Sequence, residues 1–261
     1  MMRSLYTAAT GMDAQQTKMD TIANNLANAN TTGFKRTRAD FEDLLSETIR
    51  SPQAANPQGG SAPAPLQVGL GVRTSGTTRS FSQGDFVETN NPMDLAIEGG
   101  GFFRVTRPNG EYGYTRAGNF KVDSEGRLVT QRGELIEPRI NVPQNATAVT
   151  VSADGQVTAT VPNDVRPQEL GTLELTTFVN PAGLEALGGN LYAETVASGT
   201  PSFSKPGENG TGTVTQGFLE SSNVKAVEEM VAMISTQRSY ELNSKVIQTA
   251  DQMLQRLTNV R

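Results

Sequence analysis

Residues 223–261, NVKAVEEMVAMISTQRSYELNSKVIQTADQMLQRLTNVR, decide how the rest of the chain is read. From Phe218 to the last residue there is neither glycine nor proline, although the chain holds 26 and 13 of them. Met233, Tyr240, Ile247 and Leu254 recur every seven residues, close to two helical turns, and Leu257 follows behind them. Asn223 is placed to cap the helix, Glu228 and Glu229 lie near its start, and Arg256 and Arg261 lie near its end. That charge order suits the helix dipole. Such a helix runs about 57 Å at 1.5 Å per residue, which is long for an ordinary domain. A second apolar line, Val224, Val227, Val231 and Ile234, lies beside the first. A helix apolar on more than one side needs several neighbours, as an assembling subunit has.

The other end carries a matching period. Within residues 3–27, Leu5, Met12, Met19 and Leu26 are again seven apart, with Ala8, Gln15 and Ile22 adjoining. The seam is thin, since Gly11 and two glutamines interrupt it. Burying four such Leu or Met side chains is worth roughly 6–12 kcal/mol, but a lone helix of this length is marginal in water. The two ends are therefore predicted to pair as a coiled coil; the plainer reading is two helices packed on a globular domain. Asn24, Asn25, Asn28 and Asn30, followed by Gly33, close the first helix. Asparagine competes for backbone groups and glycine takes positive φ, so capping and turns are their expected role. Phe34-Lys35-Arg36, Phe41, Leu44 and Leu45 read as a short amphipathic stretch.

Between the helices the pattern changes. Residues 51–66 hold Pro52, Pro57, Pro63, Pro65, Gly59 and Gly60, which forbid a helix and disfavour a central strand. A flexible linker and an extended arm lying on another subunit both fit. From Val68 to Leu219 turn signals recur at Asn109-Gly110, Glu125-Gly126 and Asp154-Gly155, with strands expected at 102–106, 112–116, 127–130, 147–152, 156–161, 170–179 and 212–219. Short strands without alternating helices indicate an antiparallel sandwich or barrel-like region. The fold class is therefore α+β. Its expected segments are 1–45 (helix and turn), 46–66 (extended arm), 67–220 (β-rich domain) and 221–261 (C-terminal helix).

Composition narrows the chemistry. Of 261 residues none is Cys, His or Trp. Without His or Cys there is no Ser-His-Asp triad, no Cys-His pair and no usual zinc site. Asp85, Asp94, Glu98, Asp123 and Asp154 form no evident catalytic group and read as solvated charge. Gly99-Gly100-Gly101-Phe102-Phe103 lacks the Lys-Ser/Thr ending of a phosphate loop and leads into a strand, so its expected job is a tight path that turns both phenylalanines inward. The calcium-loop pattern fails as well. No cofactor and no enzymatic activity is expected. Residues 51–220 hold eleven basic and seventeen acidic side chains, while both ends are near neutral. With no basic stripe, nucleic acid is not an expected partner. The first thirty residues lack the form of a cleaved secretory signal, and no window is apolar enough to span a membrane.

Five stretches bring a family into view. Residues 22–35, IANNLANANTTGFK, resemble the N-terminal signature of bacterial flagellar rod, hook and hook-associated proteins. Residues 94–103, DLAIEGGGFF, with 114–120, YTRAGNF, are similar to their central motif. Residues 216–224, QGFLESSNV, with 237–241, QRSYE, complete the match at the C-terminal end. Length and the 46–66 segment are most like a rod subunit of the portion nearest the hook; a subunit of the proximal rod or of the hook is the alternative within the family. The resemblance implies a helical homopolymer that carries torque from motor to hook, with proximal rod proteins and hook protein at its ends. It implies terminal helices that form the inner tube and fold on assembly. It further implies an outer β-domain facing the P-ring and L-ring bushing between periplasm and outer membrane, and export through the flagellar type III apparatus. An adhesin carried on a helical stalk is the reading from a different class.

Overall fold

The computed structural model describes residues 2–50, 66–162 and 166–258. It is α+β, with helix α1 at Met2–Ala27, helix α2 at Ala226–Thr258, and short strands between them. The chain divides into two compact units. One comprises Met1–Leu26, Thr37–Thr78 and Lys225–Arg261; the other comprises Ala27–Arg36 and Arg79–Val224.

In the helical unit, α2 starts later than expected. The Lys225 carbonyl accepts the Glu229 N–H at 3.1 Å, and the Asn223 side chain is engaged elsewhere, so Asn223 is not the cap. Glu229, Thr236 and Ala250 are buried and Asn243 is half-buried, in one line at seven-residue spacing. Met233, Ile247 and Leu254 of the predicted line are half-buried beside it, and Tyr240 is exposed. On α1, Ala8, Ala14, Ile22 and Asn25 are buried, while Leu5, Met12, Met19 and Leu26 are only half-buried. The line expected to be adjoining is thus the deeper one on α1. Small and short polar side chains let two backbones approach, and the longer Leu and Met are left at the margin.

Two contacts between the helices lie fourteen residues apart on each. A methyl on Gly11 would lie 2.9 Å from Asn243 Nδ2, and Asn25 Nδ2 donates to Glu229 Oε2 at 3.4 Å. The order of these contacts makes α1 and α2 antiparallel. Asn25 also binds both backbone groups of Thr37, accepting from N–H at 2.9 Å and donating to the carbonyl at 2.8 Å. The stretch expected to be amphipathic is a strand, Thr37–Asp43, paired with Val72–Arg79. Glu47–Arg50 pairs antiparallel with Leu66–Val68. The two flanks of the expected arm therefore meet in a ladder, and residues 51–65, with all four prolines, lie outside the described residues.

In the β-rich unit, Phe102–Thr106 is the organising strand of a nine-stranded antiparallel sheet. Tyr112–Thr115 lies on one edge; on the other, Leu135–Glu137 and Leu175–Thr177 follow each other along its length. A second, three-stranded sheet is built from Ala148–Val151, Gln156–Thr160 and Gln168–Thr172. Leu95–Glu98 pairs with Thr213–Gln216, and Phe86–Glu88 with Phe218–Glu220. The last two expected strands are each interrupted: 170–179 splits before Leu175, and 212–219 breaks at Gly217 (φ 80°).

Side chains alternate across a strand, so Phe102 and Phe103 enter different cores. Phe103 meets Phe120 edge-to-face at 5.0 Å among Leu95, Ile97, Val105 and Leu175. Phe102 joins Tyr114, Phe178 and Tyr192 in an aromatic cluster. There burial, reinforced by Glu194, pushes the Tyr114 hydroxyl up to about 12.

Candidate functional site

Four of the five family-like stretches, 22–35, 94–103, 114–120 and 216–224, contribute to one buried node in the β-rich unit; the fifth, 237–241, lies on α2. Lys35 and Glu220 side chains are fully buried and meet at 2.6 Å. Lys35 Nζ donates its second bond to the Ser82 carbonyl at 2.7 Å. Arg116 Nε donates to the other Glu220 oxygen at 2.9 Å, and its Nη1 donates to the carbonyls of Gly99 and Gly101, each at 2.9 Å. Gly84 N–H adds a third bond to the carboxylate at 3.0 Å.

Each partner is delivered by a different local structure. Gly33 precedes Lys35 with φ 68° and gives its N–H to the Glu220 carbonyl at 2.8 Å. A Cβ at Gly33 would stand 2.7 Å from the Ala117 nitrogen, so glycine is required both for φ and for space. The triple-glycine run turns the Gly99 and Gly101 carbonyls toward Arg116 while sending Phe102 and Phe103 inward. Asn223 ties the same region: its oxygen accepts from Arg36 N–H at 2.7 Å, and its amide donates to the carbonyls of Ser80 and Ser82 at 2.9 and 3.0 Å.

The node holds two cations and one anion. Burial would raise the Glu220 pKa, but Arg116 and Lys35, with their hydrogen bonds and that of Gly84, outweigh it and hold the carboxyl below its ordinary 4.5. Burial, aided by the nearby Arg116 charge, lowers Lys35 despite the pull of Glu220. A carboxylate so fully bonded is no general base; its chemistry is to fasten segments together.

Other motif positions separate. Asn25, Gly33, Gly101, Phe102 and Phe103 are buried; Asn28 and Phe34 are half-buried; Asn24, Asn30 and Gly99 are exposed. Asn28 Oδ1 accepts the Thr31 hydroxyl at 3.1 Å, a local turn bond. Of the acids read as solvated, Asp94 is buried and accepts from Thr89 Oγ1 at 2.7 Å and Asn91 Nδ2 at 3.1 Å. Among the described residues, no three Asp or Glu side chains group as a metal site.

Lys35, Arg116 and Glu220 were not singled out from the sequence. Their signal was present, because each is a charge inside an otherwise apolar or small-residue motif, at Phe34-Lys35, Thr115-Arg116-Ala117 and Phe218-Leu219-Glu220.

The second feature is the outward face of α2. Val224 is buried, but Val227, Val231 and Ile234 are 69%, 63% and 51% exposed, and Leu242 is 66% exposed. This row lies across the helix from Glu229, Thr236 and Ala250. A shallow groove of about 290 Å³ is lined there by Val231, Ile234, Ser235, Arg238, Ser239 and Leu242. The side chain of Leu257 lies outside the described residues.

These features define a class: α+β proteins with long terminal helices and an intervening β-rich region. Family models agree along the chain. "Flagella basal body rod protein" matches residues 5–35, "Flagellar hook protein FlgE/F/G D1 domain" matches 96–159, and "Flagellar basal body rod FlgEFG protein C-terminal" matches 215–260. The flagellar basal-body rod protein FlgG of Buchnera aphidicola subsp. Baizongia pistaciae is 50% identical over 258 residues, 99% of each chain. FlgG of Caulobacter vibrioides is 48% identical over the whole of both chains, and FlgG of Bacillus subtilis 41%. The chain belongs to the FlgG family of flagellar basal-body rod proteins. The family is a structural one.

Proposed function

We propose that the chain is the building block of the distal rod, a rigid helical tube of identical subunits that passes torque from the motor to the hook. In this reading residues 1–45 and 221–261 make the inner tube, with α1 and α2 packed as a coiled coil, residues 46–66 form an arm between subunits, and 67–220 face outward. Proximal rod proteins and the hook protein meet the ends, and the acidic outer surface meets the P-ring and L-ring bushing. Export runs through the flagellar type III apparatus.

The observation that carries assembly is the exposed apolar row on α2. Three β-branched side chains more than half exposed, one or two turns apart, are unfavourable in water and become favourable once covered. Free helices order against neighbours and bury this row, so folding and polymerisation are coupled. The seven-residue spacing supports the coiled coil, as do the two helix contacts.

The test is polymerisation of purified full-length protein, followed by sedimentation and electron microscopy. Wild-type chain is expected to form tubes. The triple variant V227S/V231S/I234S is expected to remain monomeric with an unchanged melting transition in the β-rich unit. Tubes from that variant at wild-type concentration would overturn the reading.

A further inference from the structure

The outward faces of the two helices carry complementary charge at the same spacing. On α1, Tyr6, Ala9, Asp13, Gln16, Asp20, Ala23 and Ala27 follow a three-four repeat, opposite the buried Ala8 and Ile22. Its charges are Asp13 and Asp20, seven residues apart; Lys18 lies instead on the line of Gly11 and Asn25, and Arg3 is paired with Glu47 at 2.7 Å. On α2, the row through Val227, Val231 and Ile234 continues into Arg238 and Lys245, also seven apart, with one acid, Glu241, between them. Asp13, Asp20, Arg238 and Lys245 are all exposed, and none makes an ion pair among the described residues.

We propose that α2 of one copy receives α1 of a second copy in a single antiparallel register, with Arg238 opposite Asp20 and Lys245 opposite Asp13. This rests on the assembly reading above and names the partner surface within it. Copies related by rotation about an axis along their helices all run the same way. Hence α1 of one copy is antiparallel to α2 of the next, as it is within a copy. One alignment satisfies both ion pairs, because both spacings are one heptad, or two helical turns. The same alignment sets Val231 beside Ala27 and Ile234 beside Ala23 and Asn24, so branched side chains face small ones and the helices approach closely. A slip by one heptad forfeits a charge pair, so the pairs fix register where the small, polar interface alone would not.

The experiment measures the critical concentration for assembly of full-length wild-type, D13K/D20K, R238E/K245E and the quadruple variant at low salt. Gel filtration and thermal melting establish that each monomer is intact. Each double variant sets like charges against each other at two positions and is expected to raise the critical concentration about tenfold. The quadruple variant, with both signs reversed, is expected to recover most of the loss, and high salt to narrow all differences. Double variants that assemble like wild type overturn the register while leaving assembly itself standing; so does a quadruple variant that fails to recover. A wild-type chain that never polymerises overturns the assembly reading and the register with it.

Discussion

Replacing Glu220 by Gln tests the buried node with almost no change of shape. The carboxylate takes three hydrogen bonds, from Lys35, Gly84 and Arg116, and is the node's one anion. Gln keeps an acceptor on one side but points an amide donor at a donor on the other. It also leaves an ammonium and a guanidinium together, with side chains 0% and 4% exposed. Removing one partner of a buried ion pair costs about 3–5 kcal/mol. In a unit of this size that lowers the melting temperature by about 6–20 °C. Lys35→Met is the informative contrast. It leaves Arg116 and Glu220 as a neutral pair and relieves the burial of an ammonium, so it costs about 1–2 kcal/mol for the lost bonds to Glu220 and Ser82. The assay is thermal unfolding of full-length monomer by calorimetry and circular dichroism. A K35M variant destabilised as much as E220Q would refute the charge accounting, and an E220Q variant within a degree of wild type would refute the node's importance.

The same carboxyl gives a pH dependence. Glu220 has a folded pKa below 4.5, so as pH falls the unfolded chain takes up the proton first. Stability held above pH ~4.5 is lost as pH falls through the folded value; E220Q should lack this component in melting curves measured against pH. Gly33→Ala demands positive φ from an L-residue and drives a methyl onto the Ala117 backbone, so it should destabilise the monomer by about 1–3 kcal/mol or more in denaturant titration.

The elements legible in the sequence were those with strong local codes. Seven-residue spacing marked both helices, reinforced in the C-terminal one by the absence of Gly and Pro, and Asn109-Gly110 and Asp154-Gly155 marked hairpins that formed where expected. One local error has a physical cause. Asn223 has the chemistry of a cap, but three backbone partners around Arg36, Ser80 and Ser82 compete successfully for its side chain. Phe34 to Leu45 read only as a short amphipathic stretch, with no element assigned; Thr37–Asp43 within it pairs as a strand with residues 29 or more positions away. Long-range pairing cannot be read from a local period. The node was illegible for the same reason. Lys35, Arg116 and Glu220 are separated by 81 and 104 residues in the chain, and a charge looks solvated until its partner is known. On the helices the heptads were visible, but not which line would lie deepest. The choice fell to small residues at Ala8, Gly11 and Ala250, which a search for large apolar side chains passes over.

Amide hydrogen exchange, compared between monomer and assembled polymer, tests coupled folding most directly. In the monomer, residues before about 26 and after about 225 should exchange fast, while Gly33 to Arg36 and the strands of the β-rich unit are slow, since the node pins them without any neighbour. In the polymer both helices should become slow. Strong protection of α1 and α2 in the monomer, or helices that stay fast in the polymer, would contradict the account.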